Sequence, residues 1–444
     1  MNHITNITVK SSPKDLLNRV SLFGPFGLFT ILILVGTAFR FLYPFFSHPL
    51  DHLYSDPLRH YLNATSLFNT YIYSWLDPPL PQLWSRAMLF LFTNTRLGIA
   101  TYFGLLSAIT PWCWYLWGRK LFDNKEKAIV FLTAITWLPS WLGIFGYFMD
   151  ETLLLPVLGI ALWLSWEARE KSTAFSLLLA TIAWAIALAI KMSALFELAI
   201  VLPWLFFYFL KDNGYKLRSY IVIATSLLIL AAIYLAYPLW VYQGLGSTWL
   251  YPPGMGAMTK AFYLSGAAGH STAFMKHGHP FTATCEFGSN TLLTKSLEPF
   301  SDWQTWRKGV YHLILNCDNK VVLMPPMPHL SFEKRLLYIF EGTVHFFFSR
   351  SWPEERGDDL IHIAQVETRW IWSILTLSII VMAWQKNRFR DFIVVLCLGT
   401  IFLYAINDSA PVEGRYRKPW EGIAIAAFIY LFNAQTLSSS KSES

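Results

Sequence analysis

Charge is what this chain has least of. Lys, Arg, Asp and Glu together make up 14% of its 444 residues, against about 25% in soluble domains. With 54% hydrophobic and 17% aromatic content, that scarcity excludes an ordinary soluble or disordered chain. Glycine-rich phosphate loops, a nucleophile elbow and a helical zinc motif are all absent, so nothing points to a nucleotide donor. Cysteine is scarce too, at four. Cys113 and Cys397 fall inside apolar runs, whereas Cys285 and Cys317 fall in a long polar segment where their pairing stays open. The net charge of +7 is no footprint of nucleic acid, and no nucleic-acid partner is expected. Its basic residues crowd into short loops between apolar runs, where they orient a membrane protein.

What the chain has is apolar runs. A helical span takes roughly 20 mainly apolar residues. Leu22–Tyr43 is too long for a signal-peptide core and no cleavage site follows it, so it is read as a retained first span. Further spans are expected at Ile99–Trp117, Ala128–Phe148, Thr152–Trp166, Ala174–Ile190, Ala194–Leu210, Tyr220–Tyr242, Trp370–Trp384, Phe392–Ile406 and Trp420–Phe432. The expected fold is an all-α polytopic membrane protein of about ten transmembrane helices.

Lys and Arg fix the threading. Lys10, Lys14 and Arg19 precede the first span. Arg119–Lys127, Arg169 with Lys171, Lys211 with Arg218, and Lys386 with Arg390 fill alternate loops. All fall on one side, the cytoplasmic one, together with both termini. The opposite face, periplasmic if the membrane is a bacterial inner membrane, then receives His48–Arg96, Asp150-Glu151, Lys191, Gln243–Arg369 and Asn407–Pro419. Pro78–Phe92 is nearly apolar enough to span, but a span there would invert every later loop. It is read as a helix on the outer surface, with Pro78, Pro79 and Pro81 at its start.

Four parts follow. Residues 1–242 form a membrane domain whose first external loop covers 44–96. Residues 243–369, rich in glycine and turns, form an irregular α(+β) external domain with an interfacial helix over Phe332–Trp352. Residues 370–436 carry the last spans, and 437–444 a serine-rich tail.

The chemically committed residues gather on the external face. Asp56 opens a helix with Pro57 at its first position; Arg59 and His60 follow at i+3 and i+4 on the same face, and Tyr61 comes next. An N-cap role is the plain alternative for Asp56, and a general base the chemical one. Asp150 and Glu151 stand at a membrane boundary, where two adjacent carboxylates are costly unless paired or solvated; they could equally cap the next span. Lys191 interrupts an apolar run at about 2.5–3.5 kcal/mol if central, as a snorkelling anchor or an anion ligand. Arg415, Arg417 and Lys418 break the charge rule by lying outside; a phosphate would explain them, as would pairing with Asp408 or Glu413. His277-Gly278-His279 is a weak metal motif, and a divalent metal is left open.

In their order along the chain these residues resemble the GT-C class of membrane glycosyltransferases, closest to the protein O-mannosyltransferase and lipid A aminoarabinose transferase groups. Asp56 stands where that class has an acid opening its first external loop, with Tyr61 and Ala64 following. Pro78-Pro79-Leu80, Arg96, Leu121-Phe122, Asp150-Glu151, Lys191 with Ser193, and Arg415-Tyr416 continue the match. Pro57 replaces the usual second acid, which weakens any metal role beside Asp56. The resemblance implies an inverting transferase using a polyprenyl-phosphate sugar and a glycan, lipid or protein acceptor. Asp56 and Asp150 would be catalytic. Arg59, Lys191, Arg415 and Arg417 would bind the donor phosphate, and His60, Tyr61 and Glu151 the sugar or acceptor. A transporter or flippase of an anionic or lipid-linked substrate, and a polymerase or ligase of lipid-linked saccharides, are the alternatives.

Overall fold

The computed structural model describes residues 24–53, 55–65, 78–122, 124–245, 314–316, 320–323, 332–348, 369–406 and 417–432. In the described residues every apolar run read from the sequence is mainly helical. The first is α1 (Gly24–Phe46), followed by a 3-10 turn at Pro49–His52, the short α2 (Ser55–Thr65) and α3 (Pro79–Phe92). Then come α4 (Arg96–Leu121), α5 (Lys125–Thr136), α6 (Pro139–Gly143) with a further 3-10 turn, α7 (Glu151–Lys171) and α8 (Ala174–Ile190). A 3-10 turn at Met192–Ala194 leads into α9 (Leu195–Asn213), and α10 (Leu217–Leu245) follows. The C-terminal half holds α11 (Phe332–Phe348), α12 (Arg369–Gln385), α13 (Phe392–Ile406) and α14 (Lys418–Phe432). Among the described residues, five helices are long and apolar enough to cross a membrane, six if one bent pair counts as a single span. The chain is a mainly helical, multi-pass membrane protein.

The bent pair corrects one boundary. Ala128–Phe148 reads as a single span, but α5 and the α6 segment meet at 53°. Pro139 causes the break: it has no N–H to donate and pushes Leu138 out of helical geometry. The last carbonyls of α5 are thereby left without helical partners. Arg40 of α1 supplies donors instead. Its Nε donates to Thr136 O at 2.7 Å and Nη2 to Ile135 O at 2.8 Å. Nη1 lies 3.4 Å from Trp141 O, past the break, and 3.5 Å from Ser107 O on α4.

The core lies where α4, α7 and α8 pack side by side, with α14 inserted against α5 and α7. Trp114, Trp117, Trp141, Trp184 and Trp420 are fully buried there. A buried indole N–H in a membrane favours an acceptor; four of these five have one, and Trp117 Nε1 has none among the described residues. Trp114 donates to Leu155 O and Trp141 to Lys418 O, both at 2.7 Å. Trp184 donates to Ser165 Oγ and Trp420 to Cys397 O, both at 2.9 Å. Gly422 lets α14 come this close, since a Cβ there would stand 2.7 Å from Trp114 and 2.8 Å from Trp141.

Basic loops share one end of the bundle. Lys120 bonds Glu167 at 2.8 Å and Glu170 at 2.7 Å, joining the ends of α4 and α7. Arg169 meets Asp212 at 3.4 Å, bringing in the end of α9. Phe392, beside the Lys386–Arg390 loop, stacks on Trp204 at 3.9 Å. These loops are the ones the charge rule groups together. The run Pro78–Phe92 forms the 14-residue α3, which exposes Leu83, Trp84, Phe90 and Leu91. Between 243 and 369, β1 (Ile314–Asn316) and β2 (Lys320–Leu323) pair antiparallel, and α11 packs on α12 and α13. Cys113 and Cys397 are buried free thiols. Cys285, Cys317, His277 and His279 lie outside the described residues.

Candidate functional site

Opposite the basic loops, separate segments converge on Asp150-Glu151. The broken span delivers this pair at the start of α7. Asp150 holds the N-cap position without making a side-chain capping bond. Its carboxylate faces α2 instead, where Oδ1 lies 3.4 Å from His60 Nδ1, each side chain 12% exposed. Glu151, 2% exposed, pairs with Lys191 Nζ. Lys191 can reach it because α8 ends there: its backbone is extended, between α8 and the Met192–Ala194 turn. Two boundary carboxylates thus acquire two different cationic or cationisable partners, one from α2 and one from α8.

Helix α2 is held down from several sides. Arg86 of α3 donates to Asn63 O from Nε at 3.1 Å and Nη2 at 3.0 Å. Tyr61 packs its ring edge against Phe148 at 5.2 Å and bonds Asn94 at 3.3 Å through its hydroxyl. Trp84 Nε1 donates to Tyr102 OH at 2.8 Å, which ties α3 to α4. Arg59, beside His60, is partly buried. Asp56 lies in the first turn of α2, one turn before His60; its side chain is outside the described residues, as are Arg415 and Tyr416.

A second layer lies beside this cluster. Arg96 makes a two-point ion pair with Asp51, both bonds 2.7 Å. That guanidinium holds the Asp51 carboxyl below its ordinary value of 3.8. Leu50 N donates to His48 Nδ1 at 3.1 Å, so Nε2 carries the proton and donates to Arg96 O at 2.8 Å. His52 stacks on Tyr147 at 4.4 Å, just before Asp150.

Arg417 belongs to a different arrangement. It is 1% exposed. Its Nε donates to Glu421 Oε1 at 3.0 Å, and its Nη1 to Phe346 O and Phe347 O at 2.9 and 2.8 Å. Ser140 Oγ donates to the other oxygen of Glu421, and Lys418 Nζ to Ser140 O at 3.1 Å. These donors bind α14 to α11 and the broken span, so Arg417 acts here as a structural clamp for the end of α11.

No protein-family model matches the chain, and no curated protein matches it significantly.

Among the described residues no three His, Cys, Asp or Glu side chains gather as a metal-binding set. The arrangement offers paired carboxylates, an imidazole and a primary amine at one end of a helical bundle. Such a set can orient a hydroxyl, take its proton and hold an anion. Sequence reasoning missed both Arg40 and Glu197. The signal for both was the same: an ionisable residue within an expected span.

Proposed function

We propose that this protein is an inverting glycosyltransferase of the GT-C kind, moving a sugar from a polyprenyl-phosphate donor to an acceptor on the external, periplasmic face of a bacterial inner membrane. The observation that carries the reading is the double pairing of Asp150 with His60 and Glu151 with Lys191. It joins segments far apart in sequence into one acid–base and cation cluster, beside the turn that carries Asp56. About ten spans, with both termini cytoplasmic, complete the topology of this reading.

In the reaction an acceptor hydroxyl attacks the anomeric carbon from the face opposite the phosphate. Asp56 takes its proton, the C–O bond to phosphate breaks, and the polyprenyl phosphate leaves with the electron pair. A positioned base contributes roughly 10²–10⁴ in rate. Asp150 orients His60 and through it the reactive face of α2. Arg59 and Lys191 meet the developing phosphate charge, with Arg415 as a further cation. Arg417, committed to Glu421 and two carbonyls, is left out of the phosphate set.

A transporter reading has one observation in its favour, the buried carboxyl of Glu197 inside α9. One assay separates the two. Membranes holding wild type or Asp56→Asn are fed radiolabelled polyprenyl-phosphate sugars. Transfer by wild type and its loss in the variant is the expected result; equal transfer by both removes Asp56 from the chemistry. No transfer by wild type across a broad sugar panel returns weight to transport.

A further inference from the structure

We propose that Glu197 and Thr400 hold a small monovalent cation in the seam between α9 and α13. The site is separate from the His60–Asp150 cluster and does not depend on the transferase reading.

Glu197 is the third residue of α9, inside the run Ala194–Ile200, and is 1% exposed. It lies on the buried stripe of the helix with Ala194, Leu198, Val201 and Leu205. Neither of its carboxylate oxygens has a hydrogen-bond partner among the described residues. The nearest cation in sequence, Lys191, is already paired with Glu151. An ionisable group so placed marks an ion or substrate site by default, because an isolated charge in that surrounding is strongly disfavoured.

A second orphan lies on the helix across the seam. Thr400 of α13 is fully buried and its hydroxyl also lacks a partner. Thr37 and Ser107 also have no hydroxyl partner among the described residues, but Thr110, Thr136, Thr181 and Thr376 donate back to the carbonyl one turn earlier. Thr400 does not.

Three contacts fix how the helices meet. Trp204 stacks on Phe392 at 3.9 Å, and Phe196 meets Tyr404 at 4.2 Å. Between them Gly399 lies against Ile200, so closely that a Cβ would stand 2.7 Å from its Cδ1. The helices therefore run antiparallel. Glu197 falls between the Phe196 and Ile200 rungs, and Thr400 between the Gly399 and Tyr404 rungs, which is one and the same interval.

The chemistry selects the ligand class. Both donors are oxygens, which suit a hard cation. A single carboxylate supplies one negative charge, and a monovalent ion neutralises it. Nothing on either stripe of this interval supplies a Lys, Arg or His.

The test uses the full-length protein in detergent and sodium as the probe. Thermal unfolding is followed in NaCl and in N-methylglucamine chloride of equal ionic strength. Wild type should melt roughly 2 °C or more higher in sodium, and Glu197→Gln and Thr400→Val should lose the difference. A wild type indifferent to Na⁺, Li⁺ and K⁺, or a Glu197→Gln that keeps the shift, overturns the proposal. Should the variants fail to fold, labelling of wild type by an apolar carbodiimide decides. Sodium should block modification of Glu197 as read by peptide mass mapping; labelling that ignores the cation overturns the site and leaves Glu197 a plain carboxylic acid.

Discussion

Glu151 and Lys191 form an ion pair that joins the start of α7 to the end of α8, with the carboxylate almost wholly buried. Breaking a buried pair by removing one partner costs about 3–5 kcal/mol, because the other charge stays behind. Lys191→Met alone and Glu151→Gln alone should each lower the melting temperature clearly. The double variant should recover much of the loss. A double variant as unstable as the sum of the singles would show that the two side chains act independently.

His60 has a different signature, since it is partly open to solvent and its partner Asp150 sits at a helix start. His60→Ala should leave the melting temperature within a few degrees of wild type. Sugar transfer should fall about 100-fold, through misplacement of α2. A parallel loss of stability and activity would make His60 a structural residue only.

Arg40 should behave in the reverse manner. Arg40→Met removes the donor to Thr136 O and one of the donors to Ile135 O at the break after α5. An unsatisfied buried polar group costs about 1–3 kcal/mol, so expression and detergent melting should both suffer. Arg40→Lys, with a point charge instead of a planar fork, should rescue only part of the loss.

Gly422→Ala adds one methyl group against Trp114 and Trp141. Overpacking of this kind costs about 1–3 kcal/mol. The variant should melt lower with no change in the affinity for donor, measured by equilibrium binding.

Asp51 gives a dependence on acid. Arg96 depresses its carboxyl in the folded state, so the pair's contribution is complete above the ordinary aspartate value and is lost as pH falls through the folded one. Both side chains are largely exposed, which keeps the effect small. Asp51→Asn should match wild type within about 2 °C at pH 7 and show a shallower decline below pH 4. An identical acid limb in both proteins would discard the pair as a source of stability.

Much of the bundle was legible because membrane helices announce themselves locally: a run such as Ala174–Ile190 needs no tertiary information to be read, and α8 matches it residue for residue. The ends of α4, α7 and α9, each carrying basic residues, do meet through the contacts of Lys120 and Arg169. What could not be read is what depends on two distant segments at once. Pro139 was visible, but only the guanidinium of Arg40 turns it from a helix end into a supported break. Asp150 and His60 were both marked, yet Asp150 could have been a simple cap and nothing in the sequence pairs the two. Arg417 was marked for phosphate because loop charges look solvent-facing in sequence; burial against the end of α11 is invisible there.

The bond between Arg40 and Thr136 spans 96 positions, and that separation sets an order of assembly. A ribosome adds about 5–20 residues each second, so the first segment emerges some 5–20 s before its acceptors exist. During that interval its guanidinium has only water or the insertion machinery to bind. The supported break between α5 and α6 can therefore form only once both segments have been made, so it closes later than the local turns of either helix.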